Sequence, residues 1–278
     1  MPGTLFVVAT PIGNLSDISA RAREVLASVA VVAAEDTRHT GNLLKTSGIA
    51  TPLLSLHEHN EAQRATQLIA RLQAGESIAL VSDAGTPLIS DPGFDVVRTA
   101  IAYGIRVVPI PGACAAIAAL SVAGLPTDRF AFEGFLSAKA KQRREVLANL
   151  SHERRTTIFY EAPHRLRATL QDMVAILGAQ RRLVIARELT KQFETLYYGT
   201  AQELASRTEQ DADMCRGEIV IVVAGAEQEA TASLDADHVL RVLLAELPPA
   251  QAAKLAARLT SSKRDELYRR ALELSAER

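Results

Sequence analysis

Residues 82–93 hold the densest group of chemically useful side chains in the chain. This segment, SDAGTPLISDPG, contains two aspartates, two glycines, two prolines and three hydroxyl side chains, and it follows an apolar run at 78–81. Gly85 permits close approach of the backbone to a ligand, and Asp83 can accept hydrogen bonds from an ammonium or ribose group. We therefore predict that Asp83 contacts a ligand, whereas capping before the next helix explains Asp91 better.

Two further loops of this kind also follow predicted strands. ATPIGNL at 9–15 ends an apolar run, and PGACAA at 111–116 opens an apolar helix whose free N–H groups face the loop. Pro11 and Gly13 suit a close backbone approach, although a plain strand-to-helix turn explains them equally well. Cys114 has no basic neighbour in sequence, so a small apolar filler is favoured over a nucleophile.

The elements around these loops alternate between short apolar strands and amphipathic helices through the first half of the chain. That alternation predicts a mostly parallel sheet with helices on both faces. Because the carboxyl ends of parallel strands lie at one edge of the sheet, the three loops are expected to meet at a ligand crevice.

Candidate acid–base groups follow other strands. Glu35 and Asp36 come directly after the run at 31–34, the cluster His57-Glu58-His59-Asn60 follows another strand, and Glu161 and His164 follow a third. Helix capping and surface charge explain each of these residues equally well. Two histidines two positions apart are only a weak indication of a metal site. No cysteine lies near them, so no metal site is predicted.

Composition and absent motifs exclude several classes of protein. The 278 residues are 48% hydrophobic with a net charge of -1, so a nucleic-acid substrate would be held by local basic patches rather than a global field. The sequence lacks a P-loop, a G-x-G-x-x-G after the first strand, a G-x-S-x-G and an H-E-x-x-H. Two cysteines far apart, no signal segment and no membrane-length apolar run predict a cytoplasmic protein without membrane partners.

Three segments are predicted from changes of pattern. An N-terminal α/β domain spans 1–112, a second α/β domain with a mixed sheet spans 113–226, and a small helical tail spans 235–278 after a polar linker. In the second domain, the short gap between the strands near 183–187 and 194–198 predicts an antiparallel pair.

Seven motifs together resemble a known family. ATPIGNL (9–15), AEDTR (34–38), SDAGTP (82–87) and PGA (111–113) resemble the tetrapyrrole methylase family in order and spacing. FYEAPHR (159–165), RELTK (187–191) and RGE (216–218) resemble a narrower branch of that family that acts on small-subunit ribosomal RNA. The resemblance covers about residues 4–224.

This resemblance implies two α/β domains with S-adenosyl-L-methionine in the cleft between them, and a homodimer. It also implies methyl transfer to the ribose 2′-hydroxyl of a cytidine in 16S ribosomal RNA, within the 30S subunit. The cofactor site implied by position comprises Pro11, Asp83, Thr86, Ala113 and Cys114 from the first domain and Phe159, Tyr160, Gly217 and Glu218 from the second.

Methyl transfer from a sulfonium is an in-line displacement, so the enzyme chiefly positions donor and acceptor. A carboxylate near the acceptor can take the hydroxyl proton. We expect Glu35 or Glu161 as this base, and we include Arg38 in the catalytic set as a phosphate or ribose contact. Ribose and phosphate contacts are expected from a further set: His57, His59, Arg165, Arg187 and Lys191.

Two basic stretches bear on the substrate. Residues 137–155 hold six Lys or Arg against two Glu, which indicates either an RNA-facing helix or ordinary solvated charge. The tail resembles a helix-turn-helix with cations available to phosphates, or a structural helical cap; these cations are Lys263, Arg264, Arg269 and Arg270. A tetrapyrrole or protein-side-chain methyltransferase and a non-catalytic RNA-binding protein remain alternatives.

Overall fold

Five short strands that all run in the same direction form the first sheet in the computed structural model of the chain. They are β1 (Thr4–Val8), β2 (Val31–Ala34), β3 (Leu53–Ser55), β4 (Ile78–Val81) and β5 (Arg106–Ile110). Their spatial order is β3-β2-β4-β1-β5, with every neighbouring pair parallel. The structure describes residues 1–57, 61–226, 236–260 and 262–276.

Four helices cover the two faces of this sheet. They are α1 (Ala20–Ser28), α2 (Thr37–Thr46), α3 (Glu61–Gln73) and α4 (Phe94–Ala102). One core joins α1 and α2 to one face, and a second core joins α3 and α4 to the other. Strands buried on both faces need apolar side chains at every position, which explains the continuous apolar runs in the sequence.

A second sheet mixes parallel and antiparallel strands. Its strands are β6 (Phe130–Phe135), β7 (Thr156–Glu161), β8 (Arg182–Arg187), β9 (Thr195–Thr200) and β10 (Ile219–Val223). The order is β6-β7-β10-β8-β9, where β6 and β7 are parallel and the other pairs are antiparallel. The predicted antiparallel pairing of β8 with β9 is confirmed.

Helices cover the second sheet unequally. The apolar helix α5 (Ala115–Val122) packs on one face, with Ile158, Val184 and Val220 in the shared core. Three helices share the opposite core: α6 (Ala140–Asn149), α7 (Leu166–Leu177) and α8 (Ala201–Gln210). Since side chains alternate along a strand, Phe159 enters this second core while Tyr160 contacts the α5 side.

The chain divides into two compact units, Met1–Gly225 and Ala226–Arg278. The first holds both sheets, and its division into domains at residues 112 and 113 stays a prediction. The second contains α9 (Ala236–Leu243), α10 (Pro249–Leu259) and α11 (Arg264–Ala276) around their own apolar core. The α/β class, the parallel first sheet, the mixed second sheet and the helical tail are as predicted.

No helix within the described ranges combines the length and the apolar character that a bilayer crossing requires.

A buried ion pair shows that Arg143, one of the six cations at 137–155, neither faces RNA nor is solvated. The Arg143 side chain is only 6% exposed, and its Nε lies 2.7 Å from Asp172 Oδ2 on α7. Arg144 Nε binds the other oxygen of the same carboxylate at 2.7 Å, and Arg155 pairs with Glu153. Arg143 therefore fastens α6 to α7 rather than facing a polyanion.

We expect Asp172→Ala to leave the Arg143 guanidinium buried without its partner and to lower the free energy of unfolding by about 3–5 kcal/mol. Arg144→Ala is the matched control, because the Arg144 side chain is 62% exposed and such pairs contribute about 0–1 kcal/mol. Urea unfolding at pH 7 measures both variants. Equal losses in the two would contradict a dominant buried pair.

Candidate active site

A cleft of about 410 Å³ lies where loops of the first sheet face the second sheet, and its size is typical of small-molecule sites. The loops after β1, β2, β4 and β5 supply one wall, to which Ile12, Glu35, Asp83, Thr86, Asp91 and Cys114 belong. The opposite wall comes from the second sheet and its loops, and includes Phe135, Tyr160, Glu161, Leu189, Gly217 and Glu218.

Backbone hydrogen bonds fasten the first-sheet loops to one another. The Thr10 N–H donates to the Gly85 carbonyl at 2.9 Å, and the Gly85 N–H donates back to the Thr10 carbonyl at 3.1 Å. The Asp36 N–H donates to Asp83 Oδ1 at 2.9 Å, and the Thr86 hydroxyl donates to the Ala113 carbonyl at 3.0 Å. The predicted meeting of these loops at one edge is thus present in the fold.

The loop after β4 contains two non-glycine residues in left-handed backbone conformations. Leu88 has φ 72° and Ser90 has φ 69°, conformations that L-residues adopt rarely and that cluster at functional sites. These residues precede Asp91, which lines the cleft. Burial raises the pKa of Asp91, and the charge of Asp83 adds to this effect while a hydrogen bond with Ser82 opposes it.

The expectation that Asp91 caps the following helix is wrong. Gly93 occupies the N-cap position of α4, and no side chain caps it there. Instead the Glu61 carboxylate accepts from the N–H groups of Gly93 and Asp95, at 3.1 and 2.8 Å. A carboxylate from another helix satisfies these donors, so Asp91 is left to face the cleft.

Aromatic side chains shape the second wall. The Tyr160 hydroxyl oxygen accepts from the Ala116 N–H at 3.2 Å and so joins β7 to the start of α5. The Tyr160 ring meets Phe132 and Phe135 edge-on, with centroids 4.9 and 5.6 Å apart, and burial raises the pKa of its phenol. Phe159, expected beside Tyr160, lies in the core on the other face of the sheet, because neighbouring strand residues point in opposite directions.

Glu161 lines the cleft, but its carboxylate is already engaged. Arg165 Nη2 lies 2.6 Å from Glu161 Oε1, and the side chain of Glu161 is only 1% exposed. The Ala162 N–H also donates to Oε1, and the Thr169 hydroxyl donates to Oε2 at 2.5 Å. The carboxylate therefore orients Arg165 beside the cleft.

Lys191 lies between two glutamates rather than pointing outward for a phosphate. Its Nζ is 2.9 Å from Glu188 Oε1 and 3.2 Å from Glu218 Oε2, and the Glu218 N–H donates to Glu188 Oε1 at 2.8 Å. A Cβ at Gly13 would overlap the Lys191 stem, and a Cβ at Gly217 would overlap the Glu188 carboxylate. This cluster joins the first loop to the Gly217–Glu218 wall.

The remaining predicted residues occupy varied positions. Arg38 is exposed at the start of α2, where its guanidinium hydrogen bonds lower the pKa of Asp36 to about 2. Arg187 is buried, and its Nε and Nη1 donate hydrogen bonds to the carbonyl oxygens of Arg216 and Phe193. His57 is half-buried after β3, and His59 lies outside the described residues.

Eight of the residues selected from sequence meet at this cleft: Glu35, Asp83, Thr86, Cys114, Tyr160, Glu161, Gly217 and Glu218. In the described part of the chain, a further set lies outside its lining: Pro11, Arg38, His57, Ala113, Phe159, Arg165, Arg187 and Lys191. Sequence reasoning missed Phe135, which carried no motif, and underrated Asp91.

The charge of the lining favours a cationic ligand. Glu35, Asp83 and Asp91 contribute carboxylates on the first-sheet side, and no Lys, Arg or His occurs among the described lining residues, although Arg165 and Lys191 pair with Glu161 and Glu218 on the other wall. Apolar side chains such as Ile12, Leu189 and Val220 complete the surface, so a ligand with an apolar body and a positive centre fits both features. The described ranges contain no cluster of three or more metal-ligating side chains.

Comparison with known proteins agrees with this arrangement. Residues 4–205 match the family of tetrapyrrole (corrin/porphyrin) methylases, and residues 230–275 match the RsmI C-terminal HTH domain. A uroporphyrin-III C-methyltransferase from Thermus thermophilus, solved in complex with S-adenyl homocysteine, superposes with a TM-score of 0.55 at 16% identity, covering 80% of this chain and 97% of that one. The chain belongs to the tetrapyrrole methylase family.

Within this family, two bacterial relatives match almost the whole chain. The ribosomal RNA small subunit methyltransferase I of Pseudomonas aeruginosa is 57% identical over 274 residues, covering 98% of this chain and 97% of the relative. The protein of the same name from Escherichia coli O157:H7 is 54% identical over 272 residues, covering 98% and 95%.

We expect Lys191→Met to lower the free energy of unfolding at pH 7 by about 1–2 kcal/mol, because charged hydrogen bonds are lost while the stem that packs on Gly13 is kept. Burial alone would raise the pKa of Glu188, but the Glu218 N–H and Lys191 outweigh it and lower that pKa. A lowered carboxyl pKa contributes stability above its ordinary value, and this contribution is lost as pH falls through the folded value. The deficit of the variant should therefore shrink in acid.

Urea unfolding at pH 7 and in stepped acid buffers measures this deficit. Arg98→Met is the matched control, since Arg98 pairs with Asp95 at the surface with 66% of its side chain exposed. A deficit that is independent of pH, or equal to that of the control, would contradict the role assigned to the Lys191 cluster.

Proposed function

We propose that the chain transfers the methyl group of S-adenosyl-L-methionine to the ribose 2′-hydroxyl of a cytidine in 16S ribosomal RNA. The observation that carries this proposal is the cleft itself, into which carboxylates and apolar side chains from both sheets face. The near-full-length relatives named as ribosomal RNA small subunit methyltransferase I support small-subunit ribosomal RNA as the methyl acceptor.

The donor site of this proposal uses both walls of the cleft. Asp83 offers negative charge, Thr86 and Cys114 lie where β4 and β5 end, and Tyr160 and Glu218, which is paired with Lys191, form the opposite side. Pro11 and Ala113 belong to the same hydrogen-bonded loops just outside the lining, while Phe159 supports Tyr160's strand from the core. When bound, the donor supplies a methyl group on a positively charged sulfur, which the carboxylate-rich lining would favour.

Two arginine side chains near the cleft would orient the acceptor RNA. Arg165 is held against Glu161, and Arg38 projects into solvent two residues after Asp36, whose N–H binds Asp83. Both guanidinium groups suit backbone phosphates. Both glutamates expected as the base, Glu35 and Glu161, line the cleft, and both oxygens of Glu161 accept hydrogen bonds.

The helical tail supports RNA as the acceptor. It matches an HTH domain, and Lys263, Arg264 and Arg269 are exposed at and near the start of α11. Arg270 is different, because it forms ion pairs with Asp237 and Glu273 that hold α11 to α9. Three of the four predicted cations are therefore exposed to solvent, and the fourth is structural.

Methyl transfer distinguishes the candidate functions. We expect tritium from labelled donor to enter 16S RNA of purified 30S subunits, and nucleoside analysis of that RNA to yield 2′-O-methylcytidine. Parallel reactions contain naked 16S RNA and uroporphyrinogen. Transfer to uroporphyrinogen alone would reject the RNA assignment, and absence of donor binding in calorimetry would leave only the non-catalytic RNA-binding alternative.

We expect the double variant Arg264→Gln, Arg269→Gln to weaken 30S binding and to reduce the salt slope of log Kd by about 1 for each phosphate contact removed. Donor affinity should stay unchanged in calorimetry. Arg106→Gln is the matched control, because this exposed arginine lies at the amino end of β5, away from the loops that form the cleft. A salt slope identical to that of the control would exclude these cations as RNA contacts.

The proposal includes a homodimeric enzyme that works in the cytoplasm. Light scattering on the purified full chain measures the oligomeric state, and fractionation of cells measures the location.

A further inference from the structure

A bulge in β6 aims an exposed aromatic ring at the rim of the cleft. The register of β6 with β7 shifts between Phe132 and Gly134, and Gly134 has φ 65°. Bulges of this kind redirect side chains and are frequent next to active sites. The next residue, Phe135, lines the cleft although 57% of it is exposed.

The strained loop after β4 meets this bulge directly. A Cβ built at Gly134 would lie 3.4 Å from Ser90 Oγ. Ser90 precedes Asp91 and Gly134 precedes Phe135, and both of these following residues line the cleft where the two segments approach each other. One side of the cleft rim is therefore acidic and the other aromatic.

Asp91 differs from the two carboxylates on the second-sheet wall of the cleft. Glu161 and Glu218 are paired with Arg165 and Lys191, whereas none of the ion pairs found among the described residues includes Asp91. Burial raises the pKa of Asp91, which brings a carboxylate closer to the strength needed to accept a proton near neutral pH.

Phe135 offers a face for a flat ligand. Tyr160 meets it edge-on at 5.6 Å and 64°, which leaves the exposed Phe135 ring supported from one side. Unpaired bases of RNA stack on such rings, and this stacking does not depend strongly on the identity of the base.

We propose that the rim between Asp91 and Phe135 is the acceptor-nucleoside subsite, in which Phe135 stacks the base and Asp91 accepts the proton of the ribose 2′-hydroxyl. This inference rests on the proposed function and deepens it. The bond between the ribose oxygen and the methyl carbon forms while the donor's carbon–sulfur bond breaks, and sulfur keeps that electron pair. The hydroxyl proton passes to an Asp91 oxygen and then to solvent.

Asp91→Asn tests the proton acceptor. In single-turnover transfer to 30S subunits we expect a rate loss of about 10²-fold or more, with donor affinity in calorimetry unchanged. The wild-type rate should rise with pH through the pKa of Asp91, and this limb should disappear in Asp91→Asn and persist at a lower rate in Asp91→Glu. Asp95→Asn on α4 is the control outside the lining.

Other titratable groups share the cleft and must be separated from Asp91: Glu35, Asp83, Cys114, Tyr160, Glu161 and Glu218. The competing base is Glu35, so Glu35→Gln is measured in the same series. Loss of the limb in Glu35→Gln and its survival in Asp91→Asn would overturn the assignment. Carboxyl-carbon NMR of the protein alone gives the Asp91 titration without any turnover.

Phe135→Ala tests the stacking surface. We expect the KM for 30S subunits to rise by about 10-fold or more, with donor affinity unchanged and with rescue by Phe135→Trp. Phe130→Ala is the matched control, since Phe130 lies on the same strand, is 41% exposed and does not belong to the described lining. An unchanged KM in Phe135→Ala would overturn the subsite.

Failure of the subsite and failure of the proposed function give different results. If the wild-type protein methylates no RNA, the proposed function fails. If the wild type methylates 30S subunits and the Asp91 and Phe135 variants behave like their controls, only the subsite fails.

Discussion

Two backbone hydrogen bonds between Thr10 and Gly85 hold together the loops that the rest of the site depends on. They join the end of β1 to the end of β4, which are neighbouring parallel strands. Asp36 and Ala113 then attach the loops after β2 and β5 through Asp83 and Thr86. Side chains far apart in sequence reach one cleft because all these strands end at the same edge.

The wall of the cleft that the second sheet forms differs from the first, because it combines an aromatic side chain with carboxylates that are paired with cations. Its strands alternate faces, so β7 delivers Tyr160 to the cleft and Phe159 to the core. Charges on this wall are neutralised in place by Arg165 and Lys191. On the first-sheet side, Asp91 takes part in none of the ion pairs found among the described residues, and it lies in a loop whose strained backbone the surrounding contacts must hold.

The sequence was a good guide to the elements and a partial guide to the site. Apolar runs and the small gap between β8 and β9 predicted both sheets, because strand burial and short connections leave direct traces in the pattern. Asp83 was predicted from its loop, whose composition is unusual, whereas Thr86 in the same loop was implied by the family resemblance. Asp91 was misjudged because its competitor for the α4 N-terminus, Glu61, lies on another helix, and local sequence cannot show a tertiary partner.

Charge was the least predictable property. The sequence offers Arg143, Arg187 and Arg270 as cations for RNA, yet each binds another group of the chain itself. Phe135 left no signal, because a single phenylalanine in a strand is ordinary and only the bulge at Gly134 turns it to the rim. The partners of these arginines and the direction of the Phe135 ring are set by tertiary contacts, which the periodicity of the sequence does not encode.

The space beside Gly13 is already filled by the stem of Lys191. Positions 13 and 191 therefore cannot vary independently, although they lie in different halves of the chain. A larger residue at 13 would fit only with a shorter one at 191, and shortening that side chain would withdraw the cation that separates Glu188 from Glu218. A larger residue in the first loop would therefore increase the repulsion between the Glu188 and Glu218 carboxylates on the opposite wall.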